Sequence, residues 1–367
     1  MIQMLPCNDL RAIVAEESAG LHSAFARVLD SGRFVLGPEV EAFEQDFADF
    51  CGVDFCVGVA NGSDGLVLAL SALGVQAGDK VATVANAGFY SSAAILSCGA
   101  QPLYLDIAPD DYLPSTESIA PILAQRPKAV VATHLYGRMA PVHDWIRSCR
   151  EHGIALVEDC SQAHGARRDD GRAGSFGDLS VFSFYPTKNL GAFGDGGAIV
   201  GSRTDLESQL RQLRQYGWDD KYRVALPGGR NSRLDALQAA LLRTRLPLLD
   251  QRNHRRRSIA ARYQQGIRNP HIHCMPRGGE DDVAHLFAVR SPLRDTLRSH
   301  LETMSVQTDV HYPIPDHRQP VMSGVYPEGM LPHTEALAAS VLSLPCHPGL
   351  TAENVEHVIE ACNLFRP

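Results

Sequence analysis

The fold is decided by the stretch Leu179-Ser-Val-Phe-Ser-Phe-Tyr-Pro-Thr-Lys-Asn-Leu-Gly-Ala-Phe-Gly-Asp-Gly-Gly197, an apolar strand that leads into Lys188 and a run of glycines. Lys188 is one of only four lysines in the chain. An amine at the end of an apolar strand, in a loop where glycines let other backbone approach closely, suits a Schiff base with a carbonyl compound.

A second apolar run lies upstream and leads into three polar residues, Asp159, Gln162 and His164, within Ala155-Leu-Val-Glu-Asp-Cys-Ser-Gln-Ala-His-Gly165. A pyridoxal phosphate site needs a lysine for the aldehyde and an acid that keeps the ring nitrogen protonated, so that the ring can withdraw electrons. Taken alone, Asp159 would more often be an ordinary strand-end carboxylate, and Lys188 would more often be a surface amine. Together, Lys188 and Asp159 predict a pyridoxal phosphate site.

Short β-branched runs alternate with helical periods between about residues 54 and 202. Near-continuous apolar strands separated by helices indicate the α/β class, with a mostly parallel sheet covered on both faces. Ligands bind beyond the carboxyl ends of such strands. The seven predicted strands are 54–59, 80–85, 102–107, 128–133, 155–158, 179–184 and 197–200.

The C-terminal part predicts a smaller α/β unit. A helical pattern starts near residue 233 and runs toward Tyr263, with a kink or break expected at Pro247. Beyond it, predicted strands at 284–289 and 305–311 alternate with helices near 292–303, 333–341 and 351–362. We therefore expect a large cofactor-binding domain, residues 1–245, and a small C-terminal domain, residues 246–367.

The composition is that of an ordinary soluble protein, with 44% apolar and 21% charged residues. A formal net charge of -8 gives no reason to expect nucleic acid or an anionic membrane as a partner. The N-terminus has no basic region followed by an apolar core, and this favours a cytoplasmic protein.

Two polar clusters are candidates for further sites. His271, His273 and Cys274 match no structural zinc spacing, so no metal is expected. Six arginines between Arg243 and Arg257 offer a place for a nucleotide diphosphate, but a solvated helix face is the favoured interpretation.

The runs around Asp159 and Lys188 resemble the signature of the DegT/DnrJ/EryC1/StrS family, the sugar aminotransferases of the aspartate aminotransferase-like fold. The resemblance extends from Gly37-Pro-Glu-Val-Glu-Ala-Phe-Glu44 to Leu344-Pro-Cys-His-Pro348. The run Phe184-Tyr-Pro-Thr-Lys-Asn-Leu-Gly-Ala192 is similar to the branch that aminates nucleotide-linked (dTDP or UDP) 3-keto-6-deoxyhexoses. It implies a fold type I aminotransferase of amino-sugar biosynthesis, with L-glutamate as the amine donor.

The resemblance also implies roles for single residues. Lys188 would hold pyridoxal 5'-phosphate covalently and, once the donor has displaced it, move the proton that yields pyridoxamine phosphate; Asp159 would pair with the ring nitrogen. The cofactor-binding residues would be Gly62, Ser63, Asp64 and Ser183 at the phosphate, Gln162 at the ring, and Asn231 reaching the phosphate from a neighbouring subunit. The sugar-binding residues would be His164, Tyr216, His311 and Tyr312. Because Asn231 would cross between subunits, a homodimer with shared active sites follows.

Two features qualify these assignments. The turn Asn61-Gly-Ser-Asp-Gly65 would present backbone amides and a helix dipole to a phosphate, but it would also cap a helix with no ligand. The loop Val84-Ala-Asn-Ala-Gly-Phe-Tyr90 has Gly88 where the family usually has an aromatic residue that stacks on the cofactor. Either Phe89 or Tyr90 covers the ring instead, or nothing stacks there.

Other functions fit less well. The acceptor alternatives are a 4-keto sugar or a cyclitol ketone; the 4-amino branch more often has His-Pro-x-Lys and a Thr-Gly-Glu-Gly stretch here. A catalytically silent regulatory relative is disfavoured because both Lys188 and Asp159 are present. A related sugar dehydratase would carry histidine in place of the lysine. A nicotinamide oxidoreductase would need a Gly-x-Gly-x-x-Gly turn, and none follows the first predicted strand.

Overall fold

The computed structural model describes residues 4–168 and 170–367. The helices are α1 Leu10–Ser31, α2 Pro38–Cys51, α3 Gly62–Ala72, α4 Tyr90–Ser97, α5 Ala120–Leu123, α6 Val142–Glu151, α7 Thr204–Leu213, α8 Ala236–Arg245, α9 Leu249–Gly266, α10 Arg294–Thr303, α11 Pro332–Ser340 and α12 Ala352–Leu364. The strands are β1 Phe55–Val59, β2 Lys80–Val84, β3 Gln101–Leu105, β4 Ala129–Thr133, β5 Ala155–Asp159, β6 Arg167–Arg168, β7 Gly171–Arg172, β8 Leu179–Ser183, β9 Gly197–Gly201, β10 Trp218–Asp220, β11 Arg223–Val224, β12 His273–Cys274, β13 Phe287–Arg290 and β14 Val341–Leu344.

The central sheet has seven strands in the order β1-β9-β8-β5-β4-β2-β3. Strand β9 is antiparallel to both of its neighbours, β1 and β8, and the other adjacent pairs are parallel. Six strands therefore run in one direction. The predicted seven-stranded, mostly parallel sheet is confirmed, and each strand begins and ends within two residues of its predicted bounds.

Both faces of the sheet are buried, which explains why its strands read as nearly continuous apolar runs. On one face, the ring of Phe182 packs edge-on against Phe47 of α2, with 4.9 Å between ring centroids. On the other face, Val181 shares an apolar cluster with Leu68 of α3 and Leu210 of α7. Successive residues of β8 therefore pack into two different apolar cores, one on each face of the sheet.

The C-terminal part contains an antiparallel sheet in the order β12-β13-β14, packed with α9, α10 and α12. The prediction of a strand over 305–311 is wrong. Ser305 has a left-handed backbone (φ 61°), and the segment pairs only at single positions, Val306 with Leu5 and Asp309 with Ser343. Ala284 is also left-handed (φ 47°), and β13 begins only at Phe287 rather than at 284.

The predicted break in the long helical pattern is confirmed, because a 3-10 turn over Leu246–Leu248 containing Pro247 separates α8 from α9. This break coincides with the proposed domain boundary at 245/246, which stays a prediction. Among the described residues, no helix is long and apolar enough to cross a membrane.

Candidate active site

A cavity of about 310 Å³ opens beyond the carboxyl ends of the parallel strands, where ligands are expected in this class of sheet. It brings together the end of β5, the end of β8, the loop after β8 and the start of α3. Of the described residues, those lining it are Asn61, Gly62, Ser63, Leu66, Ala87, Tyr90, Thr133, Asp159, Ser161, Gln162, Ser183, Tyr185, Lys188 and Asp195.

Lys188 lies in the loop that follows β8, and its backbone N–H donates to the carbonyl of Tyr185 at 2.9 Å. Burial lowers the pKa of its amine to about 8, although the nearby Asp159 carboxylate acts in the opposite direction. A substantial fraction of the amine is therefore neutral near physiological pH. A neutral amine in a partly dry cavity is a competent nucleophile toward an aldehyde.

Asp159 ends β5, and its side chain is 6% exposed. One carboxylate oxygen, Oδ1, accepts a hydrogen bond from Ser161 N at 3.1 Å. The carboxylate and the Lys188 amine thus line one cavity, and the charge of the carboxylate raises the pKa of the amine. This is the arrangement that a protonated pyridine nitrogen and an aldehyde carbon would require.

The preceding acid, Glu158, serves a different purpose. Its carboxylate accepts from His134 Nε2 (2.8 Å), from the backbone N–H groups of Gly174 and Phe176 (3.1 and 2.8 Å) and from Ser180 Oγ (3.0 Å). Burial would by itself raise the pKa of Glu158, but these hydrogen bonds outweigh it and lower the pKa. Glu158 therefore anchors the loop that leads into β8.

His134, Glu158 and Cys160 lie close enough to hold a metal ion. The hydrogen bonds account for the cluster without one. His134 Nδ1 accepts from Ala140 N at 3.0 Å, so Nε2 carries the proton and donates it to Glu158. Neither nitrogen is free for a metal.

The start of α3 is built to receive an anion. The Asn61 side chain caps the helix by accepting from Asp64 N at 2.8 Å, and the helix dipole is positive at this end. An added Cβ on Gly62 would lie 2.8 Å from the Ser183 Cβ, so only glycine allows the helix start to approach β8 this closely. Asp64 itself is paired with Arg230 at 3.1 Å.

Gln162 is held by two partners, with its Oε1 accepting from Tyr136 N at 2.7 Å and its Nε2 donating to the Tyr312 hydroxyl at 3.1 Å. The amide therefore has a fixed position on the cavity wall. Tyr312 comes from the C-terminal part of the chain, and burial raises the pKa of its hydroxyl, which stays protonated.

The loop with Gly88 presents Tyr90 to the cavity, whereas Phe89 lies outside the lining set. Tyr90 is half-exposed and packs edge-on against Tyr312, with 6.2 Å between ring centroids. Of the two aromatic residues considered from the sequence, Tyr90 is thus the one beside the cavity.

The other predicted site residues are not among those that line the cavity. His164 is fully buried with Nε2 2.9 Å from the Ser183 carbonyl, and burial, aided by the Lys188 charge, lowers its pKa to about 3. His311 bonds to Ser343 Oγ at 2.9 Å. Tyr216 packs on Trp218, and Asn231 is exposed. Their predicted ligand contacts stay predictions.

Tyr185 is one of several cavity residues without a predicted role. Tyr185 lines the cavity between Ser183 and Lys188 and is 53% exposed. The sequence feature that could have indicated a role for Tyr185 is its position between the end of β8 and Lys188. An exposed aromatic ring beside a buried amine is a natural contact for a substrate.

Comparison with known proteins agrees with this geometry. The model of the DegT/DnrJ/EryC1/StrS aminotransferase family matches residues 16–363. The dTDP-3-amino-3,4,6-trideoxy-alpha-D-glucose transaminase of Streptomyces venezuelae is 43% identical over 360 residues, 97% of this chain and 95% of that protein. The dTDP-3-amino-3,6-dideoxy-alpha-D-galactopyranose transaminase of Aneurinibacillus thermoaerophilus is 42% identical over 364 residues, 99% of each chain.

A solved structure is equally similar. The crystal structure of S. venezuelae DesV in complex with a ketimine intermediate superposes with a TM-score of 0.95 at 42% identity and covers 98% of both chains.

Proposed function

Because the chain belongs to the DegT/DnrJ/EryC1/StrS aminotransferase family, we propose that it is a pyridoxal phosphate-dependent transaminase that moves an amino group from L-glutamate to a nucleotide-linked 3-keto-6-deoxyhexose. The observation that carries the proposal is the shared cavity of the Lys188 amine and the Asp159 carboxylate, with the start of α3 opening into it. A catalytically silent relative would have no need to keep an amine with a pKa of about 8 in such a cavity.

The choice of acceptor is supported by the two relatives. Their names specify different deoxysugars, but both sugars are dTDP-linked and both carry the amine at carbon 3. A nucleotide-linked 3-keto sugar is therefore the proposed substrate class. The cytoplasm remains the predicted location.

The residues present fit the cofactor. When bound, pyridoxal phosphate supplies an electron sink that lets a proton leave the carbon beside the reacting nitrogen. Lys188 would be the base that holds and moves this proton. Asp159 would keep the ring nitrogen protonated, and Gly62, Ser63 and Ser183 would hold the phosphate at the start of α3. Gln162, which is fixed by hydrogen bonds on both sides, would position the ring.

We further propose a homodimer in which Asn231 completes the partner's phosphate site. Asn231 is exposed and lies outside the residues that line its own cavity. Nearby, the β10–β11 hairpin exposes Tyr222 (75%) and Val224 (62%), apolar surface of the kind that a partner covers.

The proposal is tested by the visible absorption of the purified protein with added cofactor. Cofactor joined to Lys188 should give a visible absorption band. L-Glutamate should abolish this band, and a dTDP-linked 3-keto-6-deoxyhexose should restore it. Both dTDP-linked 4-keto sugars and cyclitol ketones should restore the band far more slowly. Lys188→Ala should show no band, whereas Lys80→Ala, at the opposite end of the sheet, should behave like the wild type. Full turnover by Lys188→Ala would refute the mechanism, and faster recovery with a 4-keto sugar would change the acceptor.

A further inference from the structure

The arginine run between Arg243 and Arg257 is not the solvated helix face expected from the sequence. Arg243, Arg255 and Arg257 are exposed or partly exposed. Arg245, Arg252 and Arg256, in contrast, are only 4%, 5% and 3% exposed. Their spacing of seven and four residues places them along one side of the α8–α9 segment, which faces inward.

Two of these three buried cations, Arg245 and Arg252, share one buried carboxylate. Glu17 of α1, 7% exposed, lies 2.9 Å from Arg245 Nε through one oxygen and 2.9 Å from Arg252 Nη2 through the other. Among the described residues, Arg256 has no acidic partner. Two of the three positive charges are therefore uncompensated, and unpaired buried charge is costly.

Arg256 is held by backbone carbonyls alone. Its Nη1 donates to the carbonyls of Cys346 (2.5 Å) and His285 (3.2 Å). No described residue accepts from its Nε or Nη2. Burial lowers the pKa of Arg256 to about 10, and the charge of Arg252 acts in the same direction, yet the guanidinium stays charged at neutral pH.

All three arginines line one small cavity with room for a single water molecule or small ion. Its other wall is formed by Asn8 and by the segment 186–189, which carries Lys188. Lys188 lines both this cavity and the active-site cavity, so the lysine loop lies between the two. Arginine N–H groups and an excess of positive charge select for a negatively charged occupant.

We propose that this cavity is a binding site for one small monovalent anion of the halide class, with chloride as the physiological occupant. The anion would accept from the unpartnered N–H groups of Arg252 and Arg256 and neutralise part of the buried charge. It would also support the 186–189 segment from behind and so stabilise the loop that presents Lys188. A water molecule could accept the same hydrogen bonds but would leave the charge excess in place.

The direct test uses wild-type protein with cofactor bound. Thermal unfolding is compared in sodium chloride, sodium bromide and sodium gluconate at equal ionic strength, because gluconate is too large for the cavity. Chloride and bromide should raise the Tm by a few degrees in a saturable manner, since they bind only the folded state. Crystals soaked in bromide should show an anomalous peak between Arg252 and Arg256. Equal Tm in all three salts, or no peak at saturating bromide, would show that the cavity holds water and overturn the proposal.

A matched pair of variants assigns the effect to this cavity. Arg256→Met removes a buried charge while keeping much of the side-chain volume, and it should abolish the halide-dependent rise in Tm. Arg255→Gln, one residue away on the exposed side of α9 and 3.2 Å from Glu16, should retain the rise in full. A full halide effect in Arg256→Met would refute the site. If that variant does not fold, the bromide peak in the wild-type protein still decides the question.

Discussion

The ring of Tyr312 occupies the space that a side chain at position 88 would need. An added Cβ on Gly88 would lie 2.8 Å from Tyr312 Cε1. The family usually has an aromatic residue at this position of the loop. Here the position is glycine, and the ring of Tyr312, from the C-terminal part of the chain, packs in the space that the side chain would fill. The Tyr312 hydroxyl then accepts from Gln162, which links the packing to the cavity wall.

Gly88→Ala should weaken cofactor binding. The added methyl group would displace the Tyr312 ring and loosen Gln162, at a cost on the order of 1–3 kcal/mol, or roughly 5- to 150-fold in affinity. Titration of the cofactor-free protein with pyridoxal phosphate measures this directly. Gly78→Ala is the matched control, because Gly78 has a similar left-handed backbone (φ 89°) with nothing within 4 Å of an added Cβ. Equal affinities of the two variants would contradict the argument.

The lowered pKa of Lys188 predicts how cofactor uptake depends on pH. Only the neutral amine attacks the aldehyde, so the rate of band formation should rise with pH around a midpoint of about 8, rather than near the 10.5 of an ordinary lysine. Asp159→Asn removes the negative charge that raises the lysine pKa, so it should move the midpoint to lower pH. The same variant should lose most of its turnover, since the ring nitrogen loses its charged partner. Stopped-flow mixing of cofactor and cofactor-free protein between pH 6 and 9 measures the midpoint; an unchanged midpoint in Asp159→Asn would refute the coupling.

Asp316 predicts a pH dependence of stability. Its buried carboxylate accepts from Phe89 N at 2.8 Å and from Ser92 Oγ at 2.6 Å, and burial raises its pKa from 3.8 to about 7. Because the folded state holds the proton more tightly than the unfolded state, the associated stability is complete below about pH 4 and is lost as the pH rises to 7.

Asp316→Asn keeps the shape without the charge, and we expect it to be more stable than the wild type at pH 8 and to flatten the pH profile between pH 5 and 8. Urea unfolding at several pH values measures the difference, with the exposed Asp54→Asn as the control. A lower stability of Asp316→Asn at pH 8 would show that the carboxylate is better accommodated than its burial indicates.

The central sheet and the pairing of Lys188 with Asp159 in one site could be predicted from the sequence. Strands that are apolar on both faces are easy to recognise, and Lys188 and Asp159 follow directly at the ends of two of them. The predicted strand over 305–311 is wrong because residue composition does not reveal the left-handed backbone of Ser305, and the segment pairs at single positions only.

Contacts between residues that are far apart in the sequence could not be predicted. Nothing local to Gly88 indicates that Tyr312, 224 residues later, fills its side-chain space. The burial of Arg245, Arg252 and Arg256 was missed for a related reason. Charged residues at helical spacing normally face solvent, and only the packing of α1 against α8 shows that this face is inside.

Asn231 gives the sharpest test of the shared active site, because its own chain offers an alternative. Its neighbours contact the β1–α3 turn of the same subunit: Arg230 bonds to Asp64 at 3.1 Å, and Ser232 Oγ accepts from Ala60 N at 3.1 Å. Asn231 itself is exposed. A role in its own site and a role in the partner's site therefore make different predictions for mixed dimers.

Lys188→Ala and Asn231→Ala should each be nearly inactive alone. If Asn231 serves the partner, a mixed dimer has one site with both substitutions and one site with neither. Equal amounts of the two variants, unfolded and refolded together, give half mixed dimers, so activity should recover to about a quarter of the wild-type value. If Asn231 serves its own subunit, each site of the mixed dimer still carries one substitution, and activity stays near zero. Light scattering of the refolded mixture confirms the dimer, and a mixture of Lys188→Ala with itself, treated identically, sets the background.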